Sequence, residues 1–130
     1  MDKLTKSLED YLEAIVMLGG TPEQSVRPSD IARKMGVSKT SAGKALTALR
    51  ERGLVVQPYY GEATLTEEGY AYGQATFKRH RYLTAFLENE LGIPADIAEE
   101  EACLMEHAIS DDSFEKWVAY IDSLGLIEKA

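Results

Sequence analysis

The sequence predicts a mainly α protein with a small β wing: an N-terminal winged helix-turn-helix, residues 1–65, followed by a C-terminal helical domain, residues 66–130. Apolar residues recur at helical spacing through most of the chain, and one β-branched run, Leu54-Val55-Val56-Gln57, breaks that period. Charge is divided unevenly as well. Residues 1–65 hold nine Lys/Arg against eight Asp/Glu, whereas 66–130 hold five against fourteen, and together these make the overall −8.

Each element follows from its own punctuation. Ser7 with Asp10 three residues on reads as a capping-box start, and Leu8, Tyr11, Leu12, Ile15 and Leu18 then repeat until Gly19-Gly20, giving a helix over 7–18. Ser29 caps a short helix carrying Ile31, Ala32 and Met35, and Gly36-Val37 makes a tight turn. Ser38 caps a third helix through Arg52, with Ala42, Ala45, Leu46 and Leu49 inward and Gly53 as its stop. Two helices joined by a short glycine-containing turn form a helix-turn-helix. The β-branched run, a turn at Pro58-Tyr59-Tyr60-Gly61 and the return through Ala63-Thr64-Leu65 make a hairpin wing.

The second half is helical throughout. Thr66 opens a helix running to about Leu91, in which Gly69 and Gly73 point to a kink or to close helix packing. Pro94 suits the first position of a helix reaching about Ala108, and Ser110 caps a last one that ends at Gly125.

Length and composition narrow the function classes. A chain of 130 residues with 45% apolar content buries one ordinary core or two small ones, and small halves lean on oligomerisation, so the C-terminal half is expected to be a dimerisation domain. One cysteine excludes an intrachain disulfide, Asp2, Glu9 and Asp10 stand where a signal peptide is apolar, and no span approaches the roughly 20 apolar residues of a membrane helix. A soluble cytoplasmic protein is expected.

Net acidity does not exclude DNA, because residues 21–60 carry seven basic side chains against three acidic ones. In a winged helix-turn-helix the second helix enters the major groove N-terminus first. Ser38, Lys39, Thr40, Ser41 and Lys44 are therefore the expected reading residues, with small Ser41, Ala42 and Gly43 allowing close approach. Tyr59 and Tyr60 at the wing tip are expected to meet phosphate or the minor groove, Arg50 and Arg52 the backbone, and Arg27 ahead of the motif is a further DNA-binding candidate. With two histidines, one cysteine and no glycine-rich phosphate loop, no catalytic constellation competes, and an enzyme is not expected.

Cys103, Glu106 and His107 stand at i, i+3 and i+4, which on a helix puts a thiol, a carboxylate and an imidazole on one face, with Glu99 and Glu100 a turn earlier. Asp10 and Glu13 repeat the i, i+3 relation in the first helix, and His80 lies in a third segment. Taken singly these residues have ordinary readings: Asp10 a capping acid, Glu13 a solvated side chain, His80 one of a basic run, Cys103 a small buried group. As a set of O, N and S donors they suit a first-row transition ion rather than calcium or magnesium.

With these parts in order, the chain resembles the DtxR/MntR family of metal-dependent repressors. The resemblance is carried by Ser7-Leu8-Glu9-Asp10-Tyr11-Leu12-Glu13, Ser29-Asp30-Ile31-Ala32, Gly36-Val37-Ser38-Lys39, Leu65-Thr66-Glu67-Glu68-Gly69, Lys78-Arg79-His80-Arg81 and Glu106-His107-Ala108-Ile109-Ser110-Asp111. It implies a homodimer on a palindromic operator, repression of Mn²⁺ or Fe²⁺ uptake genes when metal is bound, and ligands at Asp10, Glu13, His80, Cys103, Glu106 and His107. The chain departs from both branches of that family. The manganese branch has glutamate where Cys103 stands, the iron branch has methionine where Asp10 stands, and the thiol opens the site to Zn²⁺ or Co²⁺ as well. The longer iron-responsive members append an SH3-like domain, for which a chain ending at Ala130 leaves no expected room. The alternative is a metal-independent winged-helix regulator whose C-terminal helices dimerise or hold an organic ligand.

Overall fold

A computed structural model describes residues 3–57 and 61–127, so the expectations placed on Pro58, Tyr59 and Tyr60 lie outside the described residues. The chain is mainly helical with one small antiparallel sheet, as the periodicity predicts. It divides into two compact units, residues 1–77 and 78–130.

In the first unit, α1 (Lys6–Met17), α2 (Pro28–Met35) and α3 (Lys39–Glu51) pack on one another. Leu12 and Ile15 of α1, Ile31 of α2, and Leu46 and Leu49 of α3 are fully buried where these helices meet. The apolar stripe of α1 stops short of its end, since Met17 and Leu18 are exposed. Two helix starts differ from expectation. Thr5, not Ser7, caps α1, its side chain accepting from Leu8 N at 3.2 Å, while Asp10 pairs with Lys6 at 3.0 Å and serves no cap. Arg27, not Ser29, precedes α2, because Pro28 supplies the fixed φ of a first helical residue and needs no N–H partner there. Ser38 caps α3 as expected, and Gly36 takes the left-handed conformation (φ 68°) that ends α2.

The wing is shorter than its sequence suggests. β1 (Val55–Val56) pairs with β2 (Thr64–Leu65) in the register Val55 to Leu65 and Val56 to Thr64, so Val55 and Leu65 face the core and Val56 faces out. Ala63 is not in that ladder. It bridges on its other side to Val26, whose N–H and C=O exchange hydrogen bonds with it at 2.8 and 2.9 Å, tying the loop before α2 to the base of the wing.

α4 (Glu67–Ala85) begins at Thr66, whose hydroxyl accepts from Gly69 N at 3.0 Å and donates to Gly53 O at 2.8 Å. Of the two readings of Gly69 and Gly73, close packing is the observed one. A Cβ on Gly69 would sit 1.9 Å from Leu54 O, and one on Gly73 would sit 2.8 Å from Val16 Cγ2 and 2.9 Å from Leu12 O. These approaches draw the first turns of α4 into the N-terminal unit, which is why the packing division falls after Phe77 rather than at the turn before α4.

The second unit contains the rest of α4, a π-helical turn at Phe86–Glu90, α5 (Ala95–Met105) and α6 (Asp111–Leu124). Helix α4 stops short of the expected Leu91 because its last turn widens, with Leu91 N donating to Phe86 O at 3.2 Å across five residues. Pro94 is the residue before α5 rather than its first, its ψ of 142° being extended. α5 ends at Met105, three residues early, so Glu106 and His107 lie in the turn beyond it and the single helical face expected for Cys103, Glu106 and His107 is bent at its end. Ser110 caps α6, accepting from Ser113 N at 3.2 Å. Leu83, Leu87, Ala98, Ala102 and Phe114 form the core here, with Tyr82 edge-on to Phe114 and Phe86 edge-on to Trp117.

The glycines supply a paired test. Gly69→Ala should lower the unfolding free energy by about 1–3 kcal/mol, because its methyl meets backbone. Gly43→Ala, in an exposed helix interior with open space beyond the Cβ, should raise it by about 0.5–1 kcal/mol. Urea denaturation followed by circular dichroism measures both.

Candidate metal centre and DNA-reading surface

The expected reading residues gather at the N-terminus of α3. Ser38 Oγ accepts from Ser41 N at 3.0 Å and lies 3.1 Å from Ser41 Oγ, so the Ser38 hydroxyl is engaged in shaping the first turn. Lys39, Thr40, Ser41, Gly43 and Lys44 are exposed around it. Ala42 is not part of that surface, because it is fully buried in the core. Arg27 is exposed but held to Asp30 at 3.0 Å, and Arg33 shares the same carboxylate at 3.1 Å. Arg50, at the far end of α3, donates to Gln57 at 3.2 Å, and Gln57 donates to Gly61 O at 2.7 Å, so the helix end is stitched to the neck of the wing. Tyr60 lies outside the described residues.

The same unit carries two of the six expected ligands. Asp10 and Glu13 stand one turn apart on α1, Asp10 half-buried and Glu13 buried. Glu9 is buried too, and for a structural reason: its carboxylate accepts from the Tyr72 hydroxyl, which in turn accepts from Leu4 N at 3.1 Å.

The other four are in the second unit, and there they are brought together. Cys103, Glu106 and His107 each offer a donor atom within 4.8 Å of the others. Glu106 is the centre of the group. Its side chain has no exposed surface, His80 Nδ1 lies 3.1 Å from one carboxylate oxygen, and His107 Nε2 lies 3.2 Å from the other. His80 is itself buried and meets a second carboxylate, Glu99, with Nε2 2.7 Å from Glu99 Oε1. A carboxylate removed from water costs several kcal/mol unless positive charge or donors compensate it, in the general range for buried ions. Two imidazoles and a thiol around such a group form the mixed donor set that a divalent transition ion satisfies, and the residues present fit one.

One contributor was not legible as such in the sequence. Arg79 had looked like a member of the basic run Lys78-Arg79-His80-Arg81, but neighbours on a helix diverge by about 100°. Its guanidinium donates to Glu106 O at 3.0 Å, to Ile109 O and to the Asp111 carboxylate, and lies over the Phe114 ring at 4.9 Å. It thereby takes up the carbonyls that the end of α5 leaves without intrahelical partners and joins that end to the start of α6. The turn carrying Glu106 and His107 is pinned from behind. Nothing in the sequence separates Glu99 from Glu100 and Glu101 beside it.

Comparison with known proteins agrees with both halves. The family model described as "Iron dependent repressor, N-terminal DNA binding domain" matches residues 3–63, and "Iron dependent repressor, metal binding and dimerisation domain" matches residues 66–125. An uncharacterised HTH-type transcriptional regulator of Methanocaldococcus jannaschii is 29% identical over 120 residues, which is 92% of this chain and 95% of that protein. The transcriptional regulator MntR of Salmonella typhimurium is 30% identical over 118 residues, 91% of this chain and 74% of that protein. A manganese-dependent transcriptional repressor solved in complex with manganese superposes with a TM-score of 0.76 at 35% identity, covering 88% of this chain and 52% of that one. The chain thus spans about half the length of the solved repressor chains it matches.

If Arg79 holds the turn, Arg79→Met should destabilise the protein by about 2–4 kcal/mol, since charged hydrogen bonds are lost and buried carbonyls are left unpaired. Thermal and urea unfolding measure this. Lys116→Met, at an exposed position of α6, should change stability by about 0.5 kcal/mol or less in the same assay.

Proposed function

The chain belongs to the iron-dependent repressor family of metal-dependent transcriptional regulators, and on that premise we propose that it binds a palindromic operator as a homodimer when a divalent transition ion is held by Asp10, Glu13, His80, Cys103, Glu106 and His107. The observation that carries this reading is the buried Glu106 carboxylate, flanked by two imidazoles and beside a thiol, within the region matched by the family's metal-binding domain. No helix among the described residues is long and apolar enough to cross a membrane, and the action we propose is in the cytoplasm, beside DNA.

When bound, the cation supplies the positive charge that lets several carboxylates share one site. Without it, Asp10 and Glu13 of the reader and Glu106 of the helical half repel one another. The two reading helices of a dimer then sample several spacings, whereas major-groove contacts on one face of a duplex require about 34 Å or a multiple. The residues of α1 are therefore the coupling element: they belong to the reader by packing and to the ion by chemistry. Binding of DNA and ion must strengthen each other by the same factor, and a coupling of about 1–3 kcal/mol corresponds to roughly 5- to 150-fold in operator affinity. Cys103 in place of a second carboxylate softens the site toward Fe²⁺, Zn²⁺ or Co²⁺, while Asp10, Glu13 and Glu106 suit Mn²⁺. We infer repression of manganese- or iron-uptake genes under metal sufficiency; the relatives include an iron-dependent repressor and a manganese-dependent transcriptional repressor.

Mobility-shift titrations test the proposal. The protein should retard a palindromic promoter fragment with Mn²⁺ or Fe²⁺ and release it on chelation; equal retardation in both conditions would leave a metal-independent regulator. Glu106→Ala and His107→Ala should each abolish the metal response with helical content retained. Lys39→Ala or Lys44→Ala should weaken operator binding and lower the salt slope by about 1 each, with metal affinity unchanged.

A further inference from the structure

We propose that Glu99 is a positioning residue for the metal centre: it accepts the Nε2 proton of His80 and so presents the Nδ1 lone pair of that ring beside the Glu106 carboxylate. The inference rests on the metal-site reading above. Two carboxylates bracket one imidazole, Glu99 Oε1 at 2.7 Å from Nε2 and Glu106 Oε2 at 3.1 Å from Nδ1, and the His80 side chain is only 8% exposed. A neutral imidazole carries one N–H, so it donates to one of these oxygens and turns a lone pair toward the other. The shorter contact is to Glu99.

The two partners differ in what else they do. The Glu106 side chain is fully buried and its second oxygen faces His107 Nε2 at 3.2 Å, so it belongs to the donor cluster. The Glu99 side chain is 61% exposed and stands on the opposite nitrogen, away from that cluster. A ring that ligates through one nitrogen and donates to a carboxylate through the other is held in a single tautomer and orientation and is the more basic for it. α5 is suited to make this bracket because Glu99 lies seven residues before Glu106, the residue that closes the helix, whereas Glu100 and Glu101 rotate away from Glu99 by about 100° and 200°. The role is specific to position 99, and it assigns a task to one acid of a run that otherwise reads as solvated surface.

The full chain bearing zinc, which is diamagnetic, supplies the test. Zinc affinity is measured by competition with a chromophoric chelator for wild type, Glu99→Ala and Glu99→Gln, and long-range ¹H–¹⁵N spectra of histidine-labelled protein report which ring nitrogen of His80 carries the proton. Wild type should show Nε2 protonated and Nδ1 bound. Glu99→Ala should lose roughly 10- to 100-fold in zinc affinity, the usual cost of removing such a partner, while the melting temperature of the metal-free protein stays put. Glu99→Gln, which keeps an acceptor oxygen, should recover most of that loss. The proposal is overturned if Nε2 is the zinc-bound nitrogen, if Glu99→Ala removes a second equivalent of zinc and so marks Glu99 as a ligand, if the alanine variant binds within twofold of wild type, or if glutamine is as poor as alanine. A wild-type protein that takes up no zinc, manganese or iron would overturn the metal-site reading as well, which separates the two failures.

Discussion

A carboxylate with no access to water is the constraint around which the second unit is arranged. Glu106 sits at the end of α5, where a helix normally leaves carbonyl groups pointing to solvent, and yet its side chain is completely enclosed. Three other residues make that tolerable. His80 comes from α4, His107 from the turn itself, and Arg79 satisfies the Glu106 carbonyl from the backbone side. The donors therefore owe their positions to α4, where residues 79 and 80 point in different directions and do different work. One grips the frame and the other faces the chemistry.

The first unit solves a separate problem, that of exposing a basic helix end without leaving it unstable alone. The Ser38 cap fixes the start of α3, buried Ala42, Ala45, Leu46 and Leu49 anchor its inner side, and only then do Lys39 and Lys44 project outward. Asp30 holds two arginines close by, which moderates the repulsion among the basic groups of α2 before any phosphate replaces it.

The sequence was most readable where a residue type has one common use. Ser38, Ser110, Gly36 and Gly125 mark helix ends by chemistry that hardly varies, and they lie where the pattern puts them. Ser7 and Ser29 misled because Thr5 and Pro28 offered competing starts two residues and one residue earlier, and a cap is chosen by which neighbour the chain entering the helix leaves in extended geometry. Hydrophobic period could not distinguish α4 from the π-helical turn that follows it, since both repeat apolar groups every few residues. The i, i+3, i+4 relation of Cys103, Glu106 and His107 was visible from spacing alone. The Arg79 grip and the double contact of His80 were not, because they join α4 to residues 19 to 32 positions away, and no local pattern encodes such a pairing.

The wing has a neck as well as a base. Gln57 closes the loop by donating across to Gly61 O, and Val26 clasps Ala63 on the outer side of β2, so the segment between them leaves and rejoins the body at two fixed points. A graft between those points inherits its anchorage from residues outside itself. Loops of differing length and composition could be spliced there with the clasp of Val26 on Ala63 left in place beneath them.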